Sequence, residues 1–297
     1  DGARAYVAVS GEDRLAVVEL SSLSVVSSAS VGVEPWHVAL TPDGQRLAVG
    51  NARSLDVHVL DSGDLSLLHR VRLLGRNVRQ LAVSPDGAWA YVPTVAERGL
   101  PTTEENIDNG WVLASRLNAV PLGAPGPREA IALDVRGRAV GDVEGVAVSD
   151  DGQQLALAAG GTHELLLLRQ PLPFVAYGGP ADHIDPALHA DAARFRRVGL
   201  GGRPVGVAFR KGGASVVVAN YLENALQVVD VESGKLARTI SLGGPDDTGN
   251  RGALLPTTSL DQYGATMARW FGVPDASLTS LFPNLNNFAV KNLGFLG

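Results

Sequence analysis

One turn signal recurs along this chain, and each copy sits between two short apolar runs. Thr41-Pro42-Asp43-Gly44 is followed by Ser84-Pro85-Asp86-Gly87, by Ser149-Asp150-Asp151-Gly152 and by the weaker Arg210-Lys211-Gly212-Gly213. Before the turns stand Val38-Ala39-Leu40, Leu81-Ala82-Val83, Val146-Ala147-Val148 and Val207-Ala208-Phe209. After them stand Leu47-Ala48-Val49, Ala90-Tyr91-Val92, Leu155-Ala156-Leu157 and Val216-Val217-Val218. Apolar run, Pro-Asp-Gly turn and apolar run make a β-hairpin. A helix is ruled out, because the turn residues would break it once per repeat. Third strands follow as Val57-His58-Val59-Leu60, Glu164-Leu165-Leu166-Leu167 and Leu226-Gln227-Val228-Val229, and Lys235-Leu236-Ala237-Arg238-Thr239-Ile240 supplies a fourth.

The turns beginning at 41, 84, 149 and 210 lie 43, 65 and 61 residues apart. A four-stranded propeller blade takes roughly 40–50 residues. The longer units therefore carry insertions, expected near 96–118 and 171–194. Residues 5–31 match strands two to four of a blade without its first strand. The expected fold is an all-β propeller of four-stranded blades over 1–245, with about five recognisable units, the first incomplete. An open innermost edge should find a partner strand. Ala253-Leu254-Leu255 and Phe288-Ala289-Val290 are the candidates within the chain, and an upstream segment or partner chain is the other source.

Composition narrows the function. Lys plus Arg is 25 and Asp plus Glu 31, a net charge of −6. With no basic cluster, a nucleic-acid partner is not expected. No apolar run reaches the roughly 18 residues of a membrane helix. Cys is absent, which excludes disulfides, thiol catalysis and covalent haem attachment through this chain. The first residue is Asp, as in a mature exported protein, and a single Met suits an oxidising compartment.

Val217-Val218-Ala219-Asn220, Val228-Val229-Asp230, Gly234-Lys235 and Thr239-Ile240 resemble the YVTN-type β-propeller repeat. Asn106-Ile107-Asp108-Asn109-Gly110-Trp111-Val112, Gly161-Thr162-His163-Glu164-Leu165 and Gly202-Arg203-Pro204 resemble, more closely, the propeller half of MauG-like di-haem cytochrome peroxidase relatives. The resemblance covers about 3–245. In that family a Cys-x-x-Cys-His cytochrome domain follows the propeller. Without Cys, peroxidase activity does not carry over. The resemblance implies a periplasmic or extracellular protein whose partner is a c-type cytochrome or another secreted subunit.

Residues 246–251 read as a Gly-rich linker and 252–297 as a tail. Leu260, Tyr263, Met267 and Trp270 fall at helical spacing, Ser259 is a suitable N-cap, and Gly272 and Pro274 end a helix over 260–271. Thr257-Thr258-Ser259-Leu260-Asp261-Gln262-Tyr263, Trp270-Phe271-Gly272 and Leu281-Phe282-Pro283-Asn284-Leu285 resemble the C-terminus of a secreted sulfatase-like bacterial family of unknown function. That family's presumed catalytic part has no counterpart in this chain, so no hydrolase chemistry is implied.

Aligning the repeats puts His37, Gln80, Gly145 and Gly206 at one position, preceded by Trp36, Arg79, Glu144 and Val205. Such positions surround a propeller channel. His37, Arg79 and Glu144, with His163, are candidates for the base and cation cluster of a lactonase-like hydrolase. The plainer reading is a channel lined by paired charges. His183, Asp185 and His189 are candidate metal ligands in a loop. Glu105, Asn106 and Asp108 are candidate calcium ligands, although the full calcium-loop spacing is missing. The reading favoured over catalysis is docking of a protein partner through the insertions, with Trp111 and Arg116 as anchors. A structural subunit of an extracellular assembly is a further alternative.

Overall fold

A computed structural model describes residues 2–176, 182–242 and 259–293. The chain divides into two compact units. The larger comprises Val7–Ala16 and Ser28–Ser241; the other comprises Asp1–Tyr6, Val17–Ser27 and Leu242–Gly297.

Five antiparallel sheets succeed one another along the chain. Strands β1 (Arg4–Val9), β2 (Arg14–Glu19) and β3 (Ser24–Ser30) form a three-stranded sheet. Next come β4 (Pro35–Leu40), β5 (Arg46–Asn51), β6 (Asp56–Asp61) and β7 (Leu67–Arg72), in that order. The third sheet holds β8 (Ala82–Val83), β9 (Trp89–Glu97), β10 (Leu113–Pro121) and β11 (Glu129–Ala132). The fourth holds β12 (Val143–Val148), β13 (Gln154–Ala159), β14 (Glu164–Arg169) and β16 (Phe195–Gly199). The fifth holds β17 (Pro204–Phe209), β18 (Ser215–Asn220), β19 (Ala225–Asp230) and β20 (Lys235–Ser241). The remaining strand is β15 (Val175–Ala176), which leaves the fourth unit to pair with β11 at the outer edge of the third sheet.

Local chemistry accounts for the turns. Gly44, Gly87, Gly152 and Gly213 all have φ between 69° and 73°, where a side chain is disfavoured. Upstream, the Ser149 hydroxyl bonds the Asp151 carboxylate at 2.6 Å and accepts the Gln154 N–H at 2.9 Å. Asp151 in turn accepts the Gln153 N–H at 3.0 Å. Thr41 with Asp43 and Ser84 with Asp86 repeat the arrangement. The turn at 210–213 itself has neither hydroxyl nor carboxylate; backbone bonds close it, and the Gly212 N–H donates to the Asp150 carboxylate at 3.3 Å. The Asn of Val217-Val218-Ala219-Asn220 has a similar local task. Buried Asn220 accepts the Arg203 N–H at 2.7 Å and donates to the Gly201 carbonyl and to Gln227, each at 2.9 Å.

The core lies between sheets. Leu155, Leu157 and Ala159 of β13 pack with Tyr91, Leu117 and Leu133 of the preceding unit. Ala156 and Ala158, alternating with them, pack with Val207, Val216 and Val218 of the next one. Both faces of the strand are buried, which is why the repeat strands read as unbroken apolar runs rather than alternating ones. This face-to-face stacking of successive sheets is propeller-like.

The insertion expected at 96–118 is shorter than that. Leu113 pairs with Glu97, so β9 and β10 are simply long and the loop is 98–112. It carries the five-residue helix α1 (Glu104–Asp108), capped by the Thr103 hydroxyl. The second insertion lies between β14 and β16 as expected. It contributes β15 and α2 (Pro186–Ala190).

In the other unit, α3 (Leu260–Trp270) has the expected Ser259 cap, completed by Gln262 as a capping box. Of the expected apolar stripe, Tyr263 is 50% exposed and Met267 is partly buried, whereas Gln262, Ala265 and Thr266 are buried. The reason is close approach of α3 to the segment 278–285. A Cβ on Gly264 would lie 2.4 Å from the Phe282 ring. Ala265 packs with Leu278 of α4 (Asp275–Leu281) and with Leu285. Residues 288–290 form no strand; the Val290 carbonyl accepts from Gln262 at 2.6 Å. Residues 253–255 lie outside the described residues.

Candidate functional site

Strands β4, β12 and β17 share an irregularity. Their pairing slips between Pro35 and His37, between Val143 and Gly145, and between Pro204 and Gly206. Trp36, Glu144 and Val205 are therefore the bulged residues, the positions that repeat alignment made equivalent. Bulges re-aim side chains away from the regular ladder. The same end of these sheets carries the β5–β6, β13–β14 and β18–β19 turns, because Pro35, Val143 and Pro204 pair with Asn51, Ala159 and Asn220. The 98–112 insertion replaces the corresponding turn of the third sheet. All four candidate hydrolase residues and the first insertion thus lie at one end.

A polar chain crosses this end from unit to unit. The Trp36 indole N–H donates to Glu34 at 3.0 Å. The Arg79 guanidinium stacks 4.6 Å from the Trp36 ring and donates to Asn77 at 2.8 Å. Asn77 donates to Asp142 at 3.1 Å. Arg203 reaches both Asp142 and Glu144 at 2.5 Å. Glu144 and Arg79 belong to this chain without touching each other. His37 stands apart, 3.4 Å from the Leu81 N–H, and burial holds its pKa below the ordinary histidine value. The His163 ring contacts the Gly202 carbonyl. Among the described residues neither histidine meets a hydroxyl, so the four candidates do not form a nucleophile–base pair. Asn77, Asp142 and Arg203 carry no signal in the sequence that marks them as a site, although Arg203 stands in Gly202-Arg203-Pro204.

The two insertions meet. Arg98 and Asp182 are 2.6 Å apart, and the His183 ring nitrogen lies 3.0 Å from the Asn109 carbonyl. The Trp111 and His183 ring centroids are 6.1 Å apart. Trp111 is half-buried, and its indole N–H is buried without a partner. Arg116 is not on a loop. It is on β10, 2% exposed, and lies 3.1 Å from Asp134, which is fully buried. Burial pushes the Asp134 carboxyl up to about 6, against the pull of the Val140 N–H, the Arg116 charge and the Ser115 N–H. Asp134 also receives the Ile184 N–H on its backbone carbonyl at 2.8 Å, and Arg116 donates to the Asp182 carbonyl at 3.4 Å, so this pair supports the second insertion from beneath.

The candidate metal ligands are dispersed. Asp185 caps α2, and the His189 ring is 6.2 Å from Phe195. Glu105, Asn106 and Asp108 are on α1, with Asn106 donating to the Pro101 carbonyl at 2.8 Å. Among the described residues no three His, Asp or Glu side chains gather as a ligand set. None of the described helices is long and apolar enough to cross a membrane.

Beside the first insertion is a cavity of about 1030 Å³. Val95, Ile107, Val112, Leu113 and Val140 give it an apolar body. Arg76, Glu97, Asp108, Arg138, Asp142, Glu164 and Arg197 supply its charges. Of these, Asp108 is a candidate from sequence as a calcium ligand, and Glu164 stands beside the candidate His163.

No family model matches the chain, and no curated protein matches it. Among solved structures, Kuenenia stuttgartiensis hydrazine synthase is similar over 77% of this chain and 81% of that one, with 18% identity and a TM-score of 0.49. The dihydro-heme d1 dehydrogenase NirN, in complex with DHE, is similar over 82% of this chain, with 18% identity and a TM-score of 0.55. This chain spans 45% of the length of that one. The likeness to NirN is one of fold.

Proposed function

We propose that this chain is a non-catalytic, propeller-like binding module that docks a protein partner through the end carrying the 98–112 insertion. The observation that carries this reading is the mutual fastening of the insertions by Arg98 to Asp182, Asn109 to His183 and Trp111 to His183. A fastened loop loses little conformational entropy on binding. Around it Leu100 is 44% and Ile107 50% exposed, apolar surface of the kind that partners cover. Trp111 underpins the platform, and Arg116 holds it from the sheet below. The hydrolase alternative needs a free base beside a cation, yet Glu144 is already neutralised by Arg203. The resemblance to MauG-like relatives favours a c-type cytochrome, or another subunit of an extracytoplasmic complex, as the partner.

The test is co-purification from the native source with tagged wild-type and Leu100→Asp chains, read by mass spectrometry and haem absorbance. A haem-containing subunit should accompany the wild type and be lost from Leu100→Asp at unchanged melting temperature. Trp111→Ala should weaken association by about 2 kcal/mol or more. The same protein set with both chains would overturn the docking reading.

A further inference from the structure

The wall of the cavity beside the first insertion holds one carboxylate shared by two guanidinium groups. Glu164 is 5% exposed and meets two guanidinium groups. Arg197, itself buried, donates its Nε to Glu164 at 2.9 Å and spends its remaining nitrogens on Glu164 and the Arg138 and Ala139 carbonyls. That pairing alone neutralises the carboxylate. Arg138 adds a second bond to the same carboxylate, at 2.6 Å from its Nη2, while its side chain stays 64% exposed. One carboxylate against two guanidiniums leaves one positive charge, with Arg138 presenting the free donors.

The other acids of the cavity contact other partners or face water. Both oxygens of Asp142 are engaged, by Asn77 and Arg203. Glu97 lies 3.6 Å from Arg76. Asp108 is exposed to bulk water, where its field is screened.

We infer that this cavity binds an amphipathic carboxylate, with the apolar body against Val95, Val112, Leu113 and Val140 and the carboxylate on Arg138. About 1030 Å³ suits a molecule of drug size. A guanidinium with unused donors in a partly desolvated wall recognises a carboxylate by paired hydrogen bonds. The carboxylate end of this site rests on Arg138, which the docking reading does not use, while Ile107 both lines the cavity and belongs to the docking surface.

Calorimetric titration with decanoate and with decylammonium, both below their micelle concentrations, tests it. The two probes share a body and differ in head-group charge. The expected result is one decanoate per chain, bound at least about ten-fold more tightly than decylammonium. Arg138→Gln should abolish that preference at unchanged melting temperature, and Arg138→Lys should retain part of it. Leu113→Asp should weaken both probes, whereas Leu100→Asp should bind decanoate as the wild type does. Absence of decanoate binding, equal binding of the two head groups, or unchanged selectivity in Arg138→Gln overturns the inference.

Discussion

At the scale of single residues, Asp134 shows how burial competes with pairing. Its carboxyl receives the Ser115 N–H at 2.8 Å, the Val140 N–H at 2.9 Å and the Arg116 guanidinium at 3.1 Å. Desolvation still wins and lifts the pKa to about 6. Between the unfolded value and about 6, the folded state therefore holds a proton that the unfolded chain releases. Stability from this group is fully present below the unfolded pKa and is lost as pH rises through about 6, roughly 3 kcal/mol over the whole interval. His37 acts oppositely, because its folded pKa is depressed: its contribution is present above its unfolded value and lost as pH falls. Comparing wild type with Asp134→Asn from pH 4 to 7 isolates the first effect. The wild-type melting temperature should carry a falling component that the variant lacks. Above about pH 6, where Asp134 is ionised, the variant should also be less stable, because it leaves Arg116 buried without its counter-charge.

At the scale of elements, the alternation along β13 sends successive side chains to two different interfaces. Leu157 is fully buried against the preceding unit, and Ala156 and Ala158 against the next one. Leu157→Ala should cost about 2–5 kcal/mol, because a cavity opens where two sheets meet and neither can collapse freely. Chemical denaturation measures this, and a loss below about 1 kcal/mol would mean that the interface closes over the gap. The long β9–β10 hairpin is an element whose bounds differ from those the sequence predicts. A blade strand of ordinary length would turn earlier, but nine residues pair across it, from Leu113↔Glu97 to Pro121↔Trp89. That extension lifts α1 and Trp111 away from the sheet to meet the second insertion.

At the scale of the whole molecule, the spacing between units depends on small residues at the inner strands. A Cβ on Gly145 of β12 would lie 2.8 Å from the Val205 carbonyl of β17, against backbone that cannot move independently of its sheet. At the aligned Gly206, the nearest atom would be the Ala219 Cβ at 3.7 Å, an ordinary contact. Gly145→Ala should therefore destabilise by about 1–3 kcal/mol by prising two sheets apart, whereas Gly206→Ala should be close to neutral. Equal melting temperatures for the two variants would refute this account of how the sheets are spaced. Strand β15 fastens the same assembly from outside, since a residue pair of the fourth unit's insertion completes the third sheet.

The sequence by itself determined the repeat. Each Thr/Ser-Pro-Asp-Gly or Ser-Asp-Asp-Gly turn is closed by hydroxyl, carboxylate and positive-φ glycine lying within six residues of one another, so local chemistry is enough to specify it. Turn spacing then aligned Trp36, Glu144 and Val205, and the shared bulges agree with that alignment. What only the tertiary structure decided are the pairings between distant segments. Arg116 lies 18 residues from Asp134, Glu164 33 from Arg197, and Asp142 61 from Arg203. No local pattern marks such partners, because which charges meet depends on how successive sheets stack. For the same reason Arg116, read from sequence as a loop anchor, proved to be an interior strut. The tail helix has the expected cap, but the side chains it buries include Gln262, Ala265 and Thr266, and close approach to the Phe282 ring requires Gly264 rather than a large apolar side chain.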